Sequence, residues 1–172
     1  VINSIKSTAK LGKSDWSILE ADESDGSFIH IPPAYSIITN IDREHMDFYK
    51  SMKHLKNYFI QFIEKVPSFG KVFICIDDKT NNELIKFIKN KNIITYGTNI
   101  KSNFWIKNIK QNINYSEFDL QINVPNKKKM ILKKIRIPLL GIHNVKNSAA
   151  AAAVSMTIGI SFLDIKEGLK SF

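Results

Sequence analysis

Short apolar runs that end in acidic or turn residues alternate with one strongly helical pattern over the first hundred positions. Trp16 to Ala21 is brief, apolar and compatible with a buried strand. Its end delivers Glu20-Ala21-Asp22-Glu23-Ser24-Asp25-Gly26-Ser27-Phe28, and Pro32-Pro33 then breaks the chain. Tyr35 to Ile41 reads as a second strand, ending before the acidic loop from Asp42 to Asp47. From Met52, apolar positions at Leu55, Tyr58, Phe59, Phe62, Ile63 and Val66 recur every three or four residues. That spacing predicts an amphipathic helix with Ser51 as its N-cap, closed by Pro67 and Gly70. Lys71 to Ile76 is a third strand, ended by Asp77-Asp78. A helix capped by Thr80 should run to about Lys89, and Ile93 to Tyr96 is a fourth strand. Residues 1 to 13 fit neither a helix nor a turn cleanly.

Beyond Gly97 the pattern changes. Phe104-Trp105-Ile106, Phe118 to Val124 and Met130 to Ile137 read as strands with no helix between them, the last two joined by the turn Asn126-Lys127-Lys128-Lys129. After Pro138-Leu139-Leu140-Gly141, the segment Ile142 to Asn147 leads into an Ala-dense helix from Ser148 to Ile158. Gly159 stops that helix, and another begins at Ser161 or Phe162. The predicted class is α/β: a mostly parallel sheet flanked by helices, extended by an antiparallel subsheet around residues 104–137.

A length of 172 residues is of one-domain size, and 44% hydrophobic content indicates a packed core. The formal charge of +9 invites a polyanionic partner, but of 25 basic residues only Arg43 and Arg136 are arginines. Nucleic-acid readers lean on the bidentate guanidinium, so the lysine excess beside many Asn and Ile residues points to a coding bias. A basic nucleic-acid-binding domain is kept as the rival reading; it requires the lysines on one face. The Lys127 to Lys129 tip could contact phosphates or be a solvated hairpin end. The single Cys75 lies in an apolar run and has no internal disulfide partner, consistent with a reducing, cytoplasmic setting. No apolar run approaches the ~20 residues of a membrane span. The start at Val1 and the stop at Phe172 within a helical pattern read as a piece excised from a longer protein.

Glu20, Asp22, Glu23 and Asp25 fall within six positions. Such a cluster suits either a solvated acidic turn or an oxygen-ligand site for Mg²⁺. The Asp42–Asp47 loop would share its sheet edge if the strands are parallel, and ligands of open α/β sheets gather at the carboxyl ends of strands. His45 is the one histidine flanked by carboxylates, open to ligand or acid–base roles, whereas His30 and His54 lack that setting. There is no zincin pair, cysteine zinc cluster, Gly-x-Ser-x-Gly elbow or Gly-x-x-x-x-Gly-Lys-Ser/Thr loop. His143, Asn144 and Asn147, ahead of and opening the Ala-rich helix, admit two readings: helix capping by Asn144, or recognition of adenine by an amide that offers both donor and acceptor.

Three stretches together resemble the central ATP-binding domain of the Mur ligases: Glu20 to Phe28, Thr39-Asn-Ile-Asp-Arg-Glu-His-Met-Asp47 and Gly141-Ile-His-Asn-Val-Lys-Asn-Ser-Ala-Ala150. The resemblance runs through the whole chain in order, and Ser24-Asp25-Gly-Ser-Phe28 points to the branch that adds L-alanine to UDP-N-acetylmuramate. It implies a P-loop NTPase-like fold and ATP- and Mg²⁺-dependent amide formation through an acyl phosphate, in a cytoplasmic monomer or homodimer with no nucleic-acid or membrane partner. It also implies that residues 1–172 are a partial central domain, inactive by itself. The phosphate-binding loop and UDP-binding domain would lie upstream, and an amino-acid-binding domain downstream.

Carried over by position, Glu20 is a Mg²⁺ ligand at the γ-phosphate, His45 is a ligand of a second Mg²⁺, and the two are the catalytic pair. Asn147, with His143 and Asn144, contacts the adenine, and Asp22, Ser24 and Asp25 line the sugar-nucleotide side. Sister ligases place a carbamylated lysine where this chain has Phe59 or Ile60, and Lys56 is not assigned that role. Within the class, the peptide-recycling ligase and folylpolyglutamate synthase relatives are alternatives.

Overall fold

The computed structural model describes residues 8–89, 91–125 and 129–171. Six strands form one sheet in sequence order: β1 (Tyr35–Ile38), β2 (Lys71–Cys75), β3 (Ile93–Gly97), β4 (Phe104–Gln111), β5 (Ser116–Ile122) and β6 (Met130–Ile137). β1 to β4 are mutually parallel, and β5 and β6 are antiparallel to their neighbours. The helices are α1 (Met46–Tyr49), α2 (Met52–Glu64), α3 (Lys79–Ile85), α4 (Ile142–Thr157) and α5 (Phe162–Lys170).

Parallel strands normally need a crossover of a dozen or more residues, because the chain must return to the starting edge. The β3–β4 link has no helix, and the register explains how. Only Tyr96 pairs with Phe104 and Gly97 with Trp105, so β4 begins where β3 ends and the chain never turns back. This offset converts the parallel half into the antiparallel half. Asn103 pins it: its Oδ1 accepts from Thr95 N–H at 2.9 Å, and its own N–H donates to Thr95 Oγ1 at 2.9 Å.

Alternation along β2 builds a three-layer domain. Val72 and Ile74 face a core with Leu55, Phe62 and Ile63 of α2, while Phe73 and Cys75 face a second core with Val145, Ala149 and Ala153 of α4. Ser51 caps α2 as expected, its hydroxyl accepting from His54 N–H at 3.2 Å. Ser161 caps α5 in the same way, accepting from Asp164 N–H.

Beyond shifts of two to five residues at the ends of β1, β4 and β5, three segments differ from the sequence reading. Trp16 to Ala21 is not a strand: it pairs with none among the described residues, and Ile18 and Leu19 are exposed. A strand is stabilised by its cross-strand neighbours, and Trp16 only leans its ring on Tyr35, with centroids 5.4 Å apart. α3 is capped by Asp78 rather than Thr80, Asp78 Oδ1 accepting from Asn81 N–H at 2.7 Å, and it ends at Ile85 rather than Lys89. α4 starts at Ile142, after Gly141 at φ 95°, so His143, Asn144 and Asn147 lie inside its first two turns. The Asn126–Lys128 part of the expected hairpin turn lies outside the described residues.

Candidate active site

The acidic stretch is a compact turn written by its own side chains. Asp22 Oδ1 accepts from Ser24 N–H at 2.8 Å, and Asp25 Oδ1 accepts from Ser27 N–H at 2.9 Å. These bonds hold both carboxyls below the usual aspartate range. Gly26 closes the turn at φ 75°, its N–H donating to Glu23 C=O at 3.1 Å. A Cβ at this position would lie 2.5 Å from Tyr58 and 2.7 Å from Phe48, so backbone conformation and space both require glycine. Asp22, Ser24 and Asp25, expected on the sugar-nucleotide side, therefore shape the turn, and Glu23 is left to project from it.

Glu23 meets the second loop. Glu44 N–H donates to Asp42 C=O at 2.9 Å, a tight bend that precedes His45 in the left-handed region at φ 53°. His45 Nε2 then stands 3.9 Å from Glu23 Oε1, each side chain 38% exposed. One ligand atom from each of Glu23, Glu44 and His45 falls within 4.8 Å of the others, and no second group of this kind occurs among the described residues. Beside them lies a cavity of about 30 Å³ lined by Glu23, Asn40, Asp42 and Glu44 over Leu55 and Phe59, large enough for a water-sized occupant. Asn40 Nδ2 donates to Asp42 Oδ2 at 2.7 Å and fixes that wall.

Two carboxylates that line a small polar cavity, with an imidazole within 4.8 Å of them, fit a divalent cation that keeps part of its hydration shell. Glu20 is exposed and outside this trio. No signal in the sequence singles out Glu23, since Glu20, Asp22, Glu23 and Asp25 look alike until the turn sorts them.

The same sheet edge continues past β2 and β3 into an open groove of about 710 Å³ that sequence reasoning missed. Asp77, Lys79, Asn82, Lys86, Asn99 and Lys146 are among its lining residues. Asp77 organises it. Its carboxylate accepts from Thr98 N–H and Oγ1–H, both at 2.9 Å, and from Asn99 N–H at 3.1 Å, and it pairs with Lys146 Nζ at 3.0 Å. Burial alone would raise this carboxyl, but the Thr98 bonds and the Lys146 ammonium outweigh it and hold it below the usual range. Gly97 makes the room, since a Cβ there would sit 2.6 Å from Asp77 Oδ1.

Lys146 brings the start of α4 to this groove. His143, Asn144 and Asn147 occupy neighbouring positions in its first two turns, with His143 and Asn147 exposed. Asn144 Nδ2 donates to Leu140 C=O at 2.7 Å. The N-cap is Gly141, without a side-chain cap, so Asn144 is not the capping residue. Lys56, near the position of the sister ligases' modified lysine, is committed to Glu83 at 2.6 Å.

Basic side chains are dispersed over the domain. Lys91 Nζ donates to the Glu64 and Val66 carbonyls at 2.8 and 2.6 Å, Lys107 Nζ donates to Gln121, and Arg136 pairs with Glu117. These cations are held at separate places, Lys91 at the end of α2 and Lys107 and Arg136 on the antiparallel strands.

A mixed sheet whose parallel half presents a carboxylate–imidazole trio, a lysine-bearing groove and the start of a long helix at one edge defines an α/β domain that gathers its polar groups at the carboxyl ends of the parallel strands. Comparison with known proteins gives its family. The Mur ligase middle domain matches residues 3–155, and the chain belongs to that family. UDP-N-acetylmuramate--L-alanine ligase of Pelagibacter ubique is 69% identical over 172 residues, all of this chain and 37% of that protein. The Brucella anthropi ligase of the same name is 38% identical over the same span, again 37% of its length. The chain thus covers little more than a third of these relatives. Among solved structures, UDP-N-acetylmuramate-alanine ligase from Thermotoga maritima superposes with a TM-score of 0.69 at 21% identity, over 88% of this chain and 32% of that one.

Proposed function

We propose that the protein containing this domain joins L-alanine to UDP-N-acetylmuramate in peptidoglycan precursor synthesis, using ATP. The observation that carries this reading is the 69% identity to the Pelagibacter ubique ligase across every residue of the chain. In the reaction the substrate's lactyl carboxylate attacks the ATP γ-phosphorus, ADP leaves, and the alanine amine then displaces phosphate from the acyl phosphate. Negative charge builds on the transferred phosphoryl group and then on the tetrahedral carbon, so positioning and electrostatic stabilisation dominate catalysis.

Glu23, Glu44 and His45 would hold a Mg²⁺ ion, with Glu20 on the adjoining exposed segment as a further ligand. When bound, that ion supplies Lewis-acid stabilisation of phosphoryl oxygens. Gly26 and the Asp22 and Asp25 turns hold Glu23 toward His45. His143, Asn144 and Asn147 present the polar start of α4 to the adenine, and Lys79, Lys86 and Lys146 set a positive potential along the nucleotide edge. The full-length protein is assigned to the cytoplasm, where its substrates are made.

The test is phosphate release by the full-length protein with ATP, Mg²⁺, UDP-N-acetylmuramate and L-alanine. Release should require all four, and His45→Ala and Glu23→Gln should each lower kcat by at least about a hundredfold, the scale of a lost group that stabilises transition-state charge. Release that ignores L-alanine would refute the substrate assignment. Undiminished turnover in both variants would refute the site.

A further inference from the structure

Among the described residues the acidic turn has no sheet ladder on its upstream side, because Ile18, Leu19 and Glu20 are exposed and pair with no strand there. Something else must fix Glu23 relative to His45. Phe28 anchors the downstream end, 3% exposed, with its ring centroid 5.1 Å from Phe59 and 5.3 Å from Phe62. The turn itself is tied to the other loop by a hydrogen bond from Tyr49.

We propose that Tyr49 is a positioning residue that staples the Glu23 backbone to the His45 backbone and so sets the carboxylate–imidazole spacing on which metal binding depends. The inference rests on the metal-site reading above and deepens it. Tyr49 is completely buried although it belongs to a helix of only four residues. Its N–H donates to the His45 carbonyl at 3.1 Å. Its hydroxyl donates to the Glu23 carbonyl, 26 positions upstream. One residue therefore bonds both ligand-bearing backbones, through its amide to His45 and through its phenol to Glu23.

The ring between these two bonds is immobilised on its other sides. It packs edge-on against Phe48 at 4.8 Å, Tyr58 at 5.2 Å and His54 at 6.2 Å. Its carbonyl accepts from His54 Nδ1 at 2.8 Å, which requires the proton on that nitrogen. Phe48 and Tyr58 also form the wall on which Gly26 sits, so the turn is gripped by both ring contact and the hydroxyl. A buried hydroxyl with a single acceptor is costly to leave unpaired, so the pair is fixed from both ends. Supporting groups of this kind commonly govern metal affinity through the ligands they orient.

Tyr49→Phe removes the hydroxyl and keeps the ring. In the full-length protein without nucleotide, with Mn²⁺ alone as the probe, the variant should bind about tenfold more weakly. Its Mg²⁺ activation constant should rise in parallel, while kcat at saturating metal changes by less than about twofold. Gly26→Ala, which drives the turn off the Phe48 and Tyr58 rings with Tyr49 intact, should weaken Mn²⁺ binding in the same direction. Ile106→Val, in the antiparallel half of the core, is the comparator: it should lower thermal stability and leave Mn²⁺ affinity unchanged. Wild-type Mn²⁺ affinity in Tyr49→Phe would overturn the staple while leaving the metal site standing, provided His45→Ala still weakens binding. If His45→Ala also binds Mn²⁺ normally, the site reading falls and this inference with it.

Discussion

Replacing Asp77 by Ala should destabilise the domain by about 2 kcal/mol at neutral pH. The carboxylate is only 10% exposed and serves Thr98, Asn99 and Lys146 at once, which ties the end of β2 to the β3–β4 turn and to the start of α4. Hydrogen bonds to a charged group contribute roughly 1.5–3 kcal/mol each when buried. Thr98 and Asn99 are themselves exposed, so water replaces much of what their N–H groups lose, and Lys146 at 27% exposure can swing outward. A net loss nearer the value of one such bond follows. For a domain of this size that corresponds to a fall of about 4–8 °C in Tm.

The pH dependence separates this cause from simple loss of packing. The folded carboxyl titrates below its unfolded value, so the unfolded chain takes up the proton first. The stabilisation is fully present above the unfolded pKa, near 3.9, and is lost as pH falls through the folded one. Thermal melts of wild type and Asp77→Ala should therefore differ by a constant amount from pH 8 to about 5 and converge below about 4. Equal Tm values at pH 7, or a gap that persists unchanged into acid, would refute the assignment of Asp77 as the charged clasp of this edge.

Two further outcomes follow from the helix layer and the core. Ala149 is completely buried where α4 lies against the sheet, so Ala149→Leu should cost about 1–3 kcal/mol by overpacking; a denaturant midpoint equal to wild type would contradict the close helix–sheet approach. Cys75 is 3% exposed, and burial pushes its thiol above its ordinary value. A thiol reagent at pH 8 should label it only as fast as the chain opens, and rapid stoichiometric labelling of the native protein would show that β2 is not central.

The local pattern was enough for most elements because each carries its own signal. α2 has a 3.6-residue apolar period and a Ser51 cap, and the parallel-to-antiparallel switch is marked by the disappearance of helical spacing after Gly97. Where the pattern misled, the deciding interaction was non-local. Trp16 to Ala21 has strand composition, but a strand exists only with a neighbour to pair with. Asp78 and Thr80 are both plausible caps, and only the Asp78–Asn81 bond chose between them. His143 to Asn147 looked like a lead-in because Gly141 could not be recognised as the N-cap without its φ of 95°.

By itself the sequence determined the α/β class and the kinship with the Mur ligases, and it made His45 a candidate, since each is written in local spacing and in motifs that keep their order. Which acidic residue faces His45, the groove built around Asp77 and the grip of Tyr49 on the Glu23 carbonyl were decided by the tertiary structure alone. Those contacts join residues tens of positions apart, and a carboxylate's neighbours are set by how the turns bring strand ends together, not by its place in the chain.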